Sequence, residues 1–200
     1  MKVLLINGSP RKEGNTFLSL SEVAATLKSN GVETQIINIG TKAVQGCIAC
    51  NKCNELGKCA FNDELYNTVR ESMKDADGLV IGTPVYYAAP NGSLCALLNR
   101  IFFSCSEFFE YKPGAAVVVC RRGGASSTFD ILNKYFTISN MPVVPSQYWN
   151  SVHGLTPGEA TKDAEGLQTM RTLGQNMAWM LKNTAPRPVR EEPQVTNFIK

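Results

Sequence analysis

The sequence predicts an α/β fold, a five-stranded parallel sheet with helices on both faces. Three observations lead there. Strand and helix signals alternate along the chain, the pattern of a parallel sheet covered on both sides. The strand candidates Val3-Leu4-Leu5-Ile6 and Leu79-Val80-Ile81 are continuously apolar, as strands buried on both faces are. The segment after the first of them carries a single apolar stripe, at Phe17, Leu20, Val23, Ala24 and Leu27, with helical spacing.

The elements follow in order. The first strand ends at Asn7-Gly8, and Thr16 opens the first helix. Residues 32–39 form the second strand, alternating at first and then apolar at Ile36-Ile37. Leu65, Val69 and Met73, spaced by four, predict a helix over 63–75. Residues 79–81 are the third strand. The turn Pro90-Asn91-Gly92 leads into a helix over 94–103. Residues 115–120 are the fourth strand, and 129–135 the helix after it. Val143-Val144 begins a fifth strand, whose flanking Pro142 and Pro145 imply an irregular or edge position. A last helix covers 163–181. Beyond it Pro186, Pro188 and Pro193 stand among Arg187, Arg190, Glu191 and Glu192, so the chain cannot stay helical and is expected to be extended. The organisation is one domain over 1–183, with a cysteine-rich insert at 47–59, and a tail over 184–200. A doubly wound sheet of order 2-1-3-4-5 binds its ligand outside the carboxyl ends of the strands.

Composition narrows the function. Of the 200 residues, 44% are hydrophobic and 18% charged, values of a globular chain. The net charge of +3 is dispersed, which argues against the concentrated basic face of a nucleic-acid binder. No apolar run approaches the roughly 20 residues of a membrane span. Met1-Lys2 leads straight into the first strand, so no signal peptide is expected and the cytoplasm is the expected compartment. Seven cysteines, clustered early, fit metal or redox chemistry better than a secreted disulfide framework. His153 is the only histidine, which leaves no Ser-His-Asp triad and no histidine-based metal cluster. It sits in a polar stretch and reads as an exposed loop residue.

The loop after the first strand reads Gly8-Ser9-Pro10-Arg11-Lys12-Glu13-Gly14-Asn15-Thr16. A strand that feeds a helix through a Gly/Ser loop aims backbone N–H groups and a positive dipole end at one point, which suits an anion. Neither G-x-x-x-x-G-K-[ST] nor G-x-G-x-x-G is present, so this is a phosphate loop of another type. Two further loops follow the third and fourth strands: Gly82-Thr83-Pro84-Val85-Tyr86-Tyr87 and Arg121-Arg122-Gly123-Gly124-Ala125. Together the three resemble the flavin loops of the NAD(P)H-dependent FMN reductases and iron–sulfur flavoproteins, which share a flavodoxin-like fold. The likeness runs from residue 1 to about 150 and, more weakly, to about 181.

The resemblance implies that Ser9, Arg11, Asn15 and Thr16 bind the FMN phosphate, by charge-assisted hydrogen bonds. It implies that the other two loops edge the flavin ring. Backbone N–H groups of Val85 to Tyr87 could meet the ring, with Tyr86 or Tyr87 against it and Pro84 fixing the loop shape; alternatively the tyrosines only cap the sheet edge. Gly123 and Gly124 let backbone approach a ligand closely. Arg121 and Arg122 could steady negative charge at the flavin N1/O2 edge, receive the phosphates of a nicotinamide donor, or pair with surface groups. The chemistry then rests on FMN and requires no catalytic side chain.

Cys47-x2-Cys50-x2-Cys53-x5-Cys59 places four thiols in thirteen residues. The run resembles the cluster-binding segment of iron–sulfur flavoproteins, and its opening resembles that of bacterial ferredoxins. It departs from the ferredoxin pattern in the longer last gap and in Ala60 where a proline would follow. The thiols could hold [4Fe–4S], structural zinc, or nothing. Cys95, Cys105 and Cys120 read as core residues. The expected function is an FMN-dependent oxidoreductase passing electrons from NAD(P)H, or from reduced ferredoxin through a cluster, to a quinone, flavin or other small acceptor. A non-enzymatic carrier and a cysteine-based redox sensor are the alternatives; a pI near 8.5 argues against the acidic surface of a flavodoxin-type carrier. The resemblance also implies a homodimer or homotetramer, with Phe102-Phe103 and Phe108-Phe109-Glu110-Tyr111 as an aromatic segment for the contact.

Overall fold

The structure is a computed structural model that describes residues 1–183 and 185–188. Strands β1 (Lys2–Asn7), β2 (Glu33–Asn38), β3 (Gly78–Tyr86), β5 (Gly114–Cys120) and β6 (Ser151–His153) form a parallel path in the order β2-β1-β3-β5-β6. A two-residue strand, β4 (Ala89–Pro90), folds back antiparallel on β3. This is the flavodoxin-like arrangement read from the sequence, with a hairpin added.

Side chains alternate across each strand, and the two faces carry separate cores. Leu4, Ile6, Leu79 and Ile81 face helices α3 (Glu64–Asp75), α4 (Gly92–Ser104) and α5 (Ala125–Ile138) through Tyr66, Leu97, Ile101 and Phe136. Val3, Leu5 and Val80 face α1 (Asn15–Ser29) and α6 (Ala164–Lys182) through Leu20, Val23, Leu173 and Met177. A short helix, α2 (Cys53–Leu56), lies in the long β2–α3 connection. Among the described residues no helix is long and apolar enough to cross a membrane.

Two strands differ in detail from expectation. The third strand runs well past Ile81, to Tyr86. Gly82 faces β1, since its carbonyl accepts from Gly8 N–H, so Pro84 faces the same side, where β1 has already ended. The missing proline N–H therefore breaks no ladder bond. The fifth strand is interrupted. Val143 bridges Gly114, the chain leaves the sheet after Val144, and pairing resumes at Ser151–His153 against Val118–Cys120. The proline on each side of Val143-Val144 explains the break.

The aromatic segment is largely interior. Phe102 and Phe109 are buried and stack with ring centroids 4.1 Å apart, and only Phe103 is well exposed. Of the expected tail at 184–200, residues 185–188 are exposed and without secondary structure; the rest lies outside the described residues.

Candidate functional site

The first loop is shaped by two asparagines that sequence reading did not single out. Asn7, fully buried at the end of β1, donates from Nδ2 to Asn38 Oδ1 at 2.7 Å and to the carbonyls of Arg11 and Lys12 at 3.5 and 3.4 Å. Its Oδ1 accepts Ser9 N–H at 3.1 Å, and Ser9 Oγ accepts Arg11 N–H at 3.1 Å. From the other side Asn91, the N-cap of α4, donates to Gly8 carbonyl at 2.8 Å. Gly8 sits so close to β3 that a Cβ there would lie 2.7 Å from Gly82 carbonyl oxygen and 2.5 Å from Leu94 Cδ2. The result is a tight loop delivered onto the start of α1. That helix begins after Gly14 with no side-chain cap and no acidic residue in its first turn. Its N-terminal dipole and amides, with exposed Arg11 alongside, present positive charge of the kind that suits an anion.

The three loops converge. Ser9, Arg11, Asn15 and Thr16 line a cleft of about 240 Å³ together with Pro84, Val85 and Tyr86 from the second loop and Arg121 from the third. A wider recess of about 760 Å³ adjoins it, sharing Val85 and Arg121 and adding Tyr87, Arg122, Gly123 and Gly124. Each of the residues expected to bind FMN lines one of these two cavities, at the carboxyl edge of the sheet.

Individual side chains depart from expectation. Asn15 commits its amide within the protein: Nδ2 donates to Thr156 carbonyl at 2.9 Å and Oδ1 accepts Ala160 N–H at 3.2 Å. It therefore fastens the 154–160 loop to the start of α1. Tyr86 is 45% exposed and borders the cleft, whereas Tyr87 is 105% exposed and borders only the wider recess. Tyr87 and Ala88 form the β3–β4 turn with φ of +50° and +59°, the left-handed region that such a turn requires and that glycine or asparagine normally fills. The turn is held from α5, where Ser127 Oγ donates to Ala88 carbonyl at 2.8 Å. Gly124, at φ +84°, has no room for a Cβ, which would come 2.8 Å from Ala88 Cα. Cys120, read as plain core, is buried yet forms part of both walls, and burial raises its thiol pKa.

The 154–160 loop, a further wall, came from no sequence signal. Gly154 and Leu155 line the cleft, and Glu159 Oε2 accepts the N–H groups of Leu155 and Thr156 at 2.6 and 2.9 Å. Those two amides hold the Glu159 carboxyl below the usual carboxylate range. The loop's brace is thus in place above the ordinary pKa of about 4.3 and is lost as pH falls through the depressed folded value. The Leu155 and Thr156 amide resonances are expected to titrate together below the ordinary carboxylate range, and to lose that titration in Glu159→Gln. Independent behaviour of the two amides would contradict the brace.

The cysteine run forms a second centre. Cys47, Cys50, Cys53 and Cys59 all line one small cavity of about 20 Å³, with Arg100 and Phe61 closing its floor. Cys47 and Cys50 are exposed, and Cys50 is flanked by Ala49 and Asn51 with φ of +54° and +56°. Among the described residues, no three Cys, His, Asp or Glu side chains converge closely enough to share a single ion. Phenol and amide chemistry anchor the far end: Tyr66 Oη accepts Cys59 N–H at 2.8 Å, and burial pushes the Tyr66 phenol up to about 12.

Comparison with known proteins gives the fold and centres a family. The profile of the NADPH-dependent FMN reductases matches residues 1–156. An iron–sulfur flavoprotein of Methanocaldococcus jannaschii is 36% identical over 190 residues, spanning 91% of this chain and 98% of the relative. One from Methanosarcina thermophila is 30% identical over 186 residues, spanning 91% and 96%. A solved archaeal flavodoxin superposes with a TM-score of 0.65 at 16% identity, covering 92% of this chain and all 100% of that one, a likeness of fold alone. With a family match across most of its length and relatives this similar from end to end, the chain belongs to the NADPH-dependent FMN reductase family of flavodoxin-like oxidoreductases.

Proposed function

We propose that this protein binds FMN in the cleft at the carboxyl edge of the sheet and passes electrons through it from NAD(P)H, or from reduced ferredoxin by way of a [4Fe–4S] cluster, to a quinone, flavin or other small acceptor. The observation that carries the reading is the convergence of three separate loops on one cleft, beside an uncapped helix N-terminus. The residues present fit FMN. Ser9, Arg11 and Thr16 with the first amides of α1 suit one terminal phosphate, and no pyrophosphate fingerprint is present. The second and third loops offer what a flat ring needs: Pro84 and Val85 as an apolar edge, and Gly123-Gly124 backbone that a ligand can approach. Bound FMN supplies hydride or single-electron transfer. The protein's part is positioning, by the braced loops, and electrostatics, from Arg121 and Arg122. The same two arginines suit the phosphates of a nicotinamide donor arriving over the wider recess.

The four cysteines supply the right donor type and number for a cluster. A cubane core takes one thiolate at each of four corners, so its ligands ring a body of several atoms instead of converging on one point. The present cavity has room for little more than a water, so a cluster requires the exposed stretch carrying Cys47 and Cys50 to stand further out. The relatives' description as iron–sulfur flavoproteins supports this reading over zinc. A homodimer or homotetramer belongs to the same reading, with exposed Phe103 and Ile138, which line an apolar groove beside Cys47, as its contact surface.

Anaerobic assays with NADH, NADPH and reduced ferredoxin, each with and without a quinone acceptor, test the proposal. Turnover with at least one donor is expected. Bound FMN that no donor reduces catalytically would leave a carrier or a sensor.

A further inference from the structure

Among the described residues Arg100 is the largest fully buried side chain, only 1% exposed, and it lies on α4 away from the cleft at the carboxyl edge of the sheet. A guanidinium is rarely buried unless every donor is matched. Here each nitrogen finds a partner on the cysteine segment or at its two ends. Nε donates to Cys59 Sγ at 3.3 Å. Nη1 donates to Gln45 carbonyl at 3.3 Å, just ahead of Cys47. Nη2 donates to Phe61 carbonyl at 2.8 Å and Asp63 Oδ2 at 2.5 Å, just past Cys59. The plane sits over the Tyr66 and Phe61 rings, 4.7 and 5.7 Å from their centroids. One cation thus ties both ends of the cysteine loop together and reserves one N–H for one of its four sulfurs.

Asp63 pairs directly with the guanidinium, at 2.5 Å, and offsets only part of its charge. Its side chain is 44% exposed, so water screens the carboxylate while the guanidinium stays dry beside Cys59. Hydrogen bonds to ligand sulfurs and nearby buried charge are the protein's means of setting a cluster's reduction potential. The α4 helix gives the arrangement rigidity across the molecule. Its N-cap, Asn91, holds Gly8 of the anion loop, and Arg100 lies roughly 13 Å further along the helix axis.

We infer that Arg100 is a positioning and tuning residue for the metal centre: it anchors Cys59 as the fixed ligand, closes the loop ends, and raises the cluster's reduction potential through the Nε–H···Sγ bond. The inference rests on the cluster assignment made under the proposed function.

The test uses the full chain, reconstituted anaerobically with ferrous iron and sulfide. Arg100→Met removes charge and donors at similar volume; Arg100→Lys keeps the charge and loses the fork. Iron content, rate of iron loss to a chelator, cluster midpoint potential and FMN affinity are read for each. The expected result is a lower potential and faster iron loss in Arg100→Met, partial recovery in Arg100→Lys, and unchanged FMN affinity in both. Wild-type potential and chelation rate in both variants would overturn the inference and leave the cluster assignment standing. A wild-type protein that takes up no iron would instead remove the cluster assignment, and this inference with it. Should neither variant fold, wild-type protein grown on 15N-arginine decides: electron spin echo modulation of the reduced cluster shows coupling to a guanidinium nitrogen if the bond exists, and its absence overturns the inference.

Discussion

Gly8→Ala is expected to lower the melting temperature and weaken FMN binding at least tenfold. The Cβ would sit 2.7 Å from the Gly82 carbonyl oxygen, which is backbone in a central strand and cannot rotate aside. It would also sit 2.5 Å from Leu94 Cδ2, in the first turn of α4. Overpacking of this kind costs about 1–3 kcal/mol, and each kcal/mol lowers Tm by roughly 2–4 °C for a chain of this size. Relief requires β1 and β3 to separate or the loop to lift. Lifting breaks the Gly8 N–H bond to Gly82 and the Asn91 bond to Gly8 carbonyl, so the amides proposed to meet the phosphate lose their register. A displacement worth about 1.4 kcal/mol is already tenfold in affinity. Calorimetry and FMN titration measure the two effects; wild-type values for both would show that the loop is not held as described.

Cys50→Ser is expected to abolish or degrade the cluster while sparing the flavin. Reconstituted wild-type protein should hold about four irons and four sulfides per chain. Cys50 is exposed and stands between two residues in left-handed backbone, Ala49 and Asn51, a conformation that non-glycine residues hold at a cost of roughly 1–3 kcal/mol each. Strain concentrated on both sides of one thiol fits a loop shaped by what that thiol must bind. Serine preserves size and backbone but offers a poor ligand for iron. The cysteine cavity and the flavin cleft share no lining residue, so FMN content should be unchanged. A Cys50→Ser protein with full iron content would remove Cys50 from the ligand set.

The parallel architecture was legible because buried strands such as Val3-Leu4-Leu5-Ile6 carry their signal locally, and the three loops could be assigned to one sheet edge because each follows a strand. What stayed hidden depends on contacts distant in sequence or on conformations without a compositional mark. The Tyr87-Ala88 turn lacks the Asn-Gly or Gly-x signature that announces a two-residue hairpin. The fifth strand's break was signalled by Pro142 and Pro145, but its resumption at Ser151–His153 was not. Asn15 was read as a phosphate ligand from its place in the motif; its amide partners, Thr156 and Ala160, lie 141 and 145 residues away. Arg100 falls inside an apolar helix and was not singled out, since its partners from Gln45 to Asp63 are 37 to 55 residues distant. Asn7, at a strand end, looked like a turn residue and is the brace of the anion loop.

We propose that the first loop and the start of α1 hold the phosphate of FMN. Arg11 supplies an exposed cation lining the cleft, and among the described residues its side chain makes no hydrogen bond or ion pair. Binding of FMN and of riboflavin, which lacks the phosphate, to wild-type protein and to Arg11→Ala tests the claim most directly. The account predicts that Arg11→Ala weakens FMN by about tenfold or more, the worth of a charge-assisted hydrogen bond, and leaves riboflavin affinity nearly unchanged. Equal losses for the two ligands would contradict it.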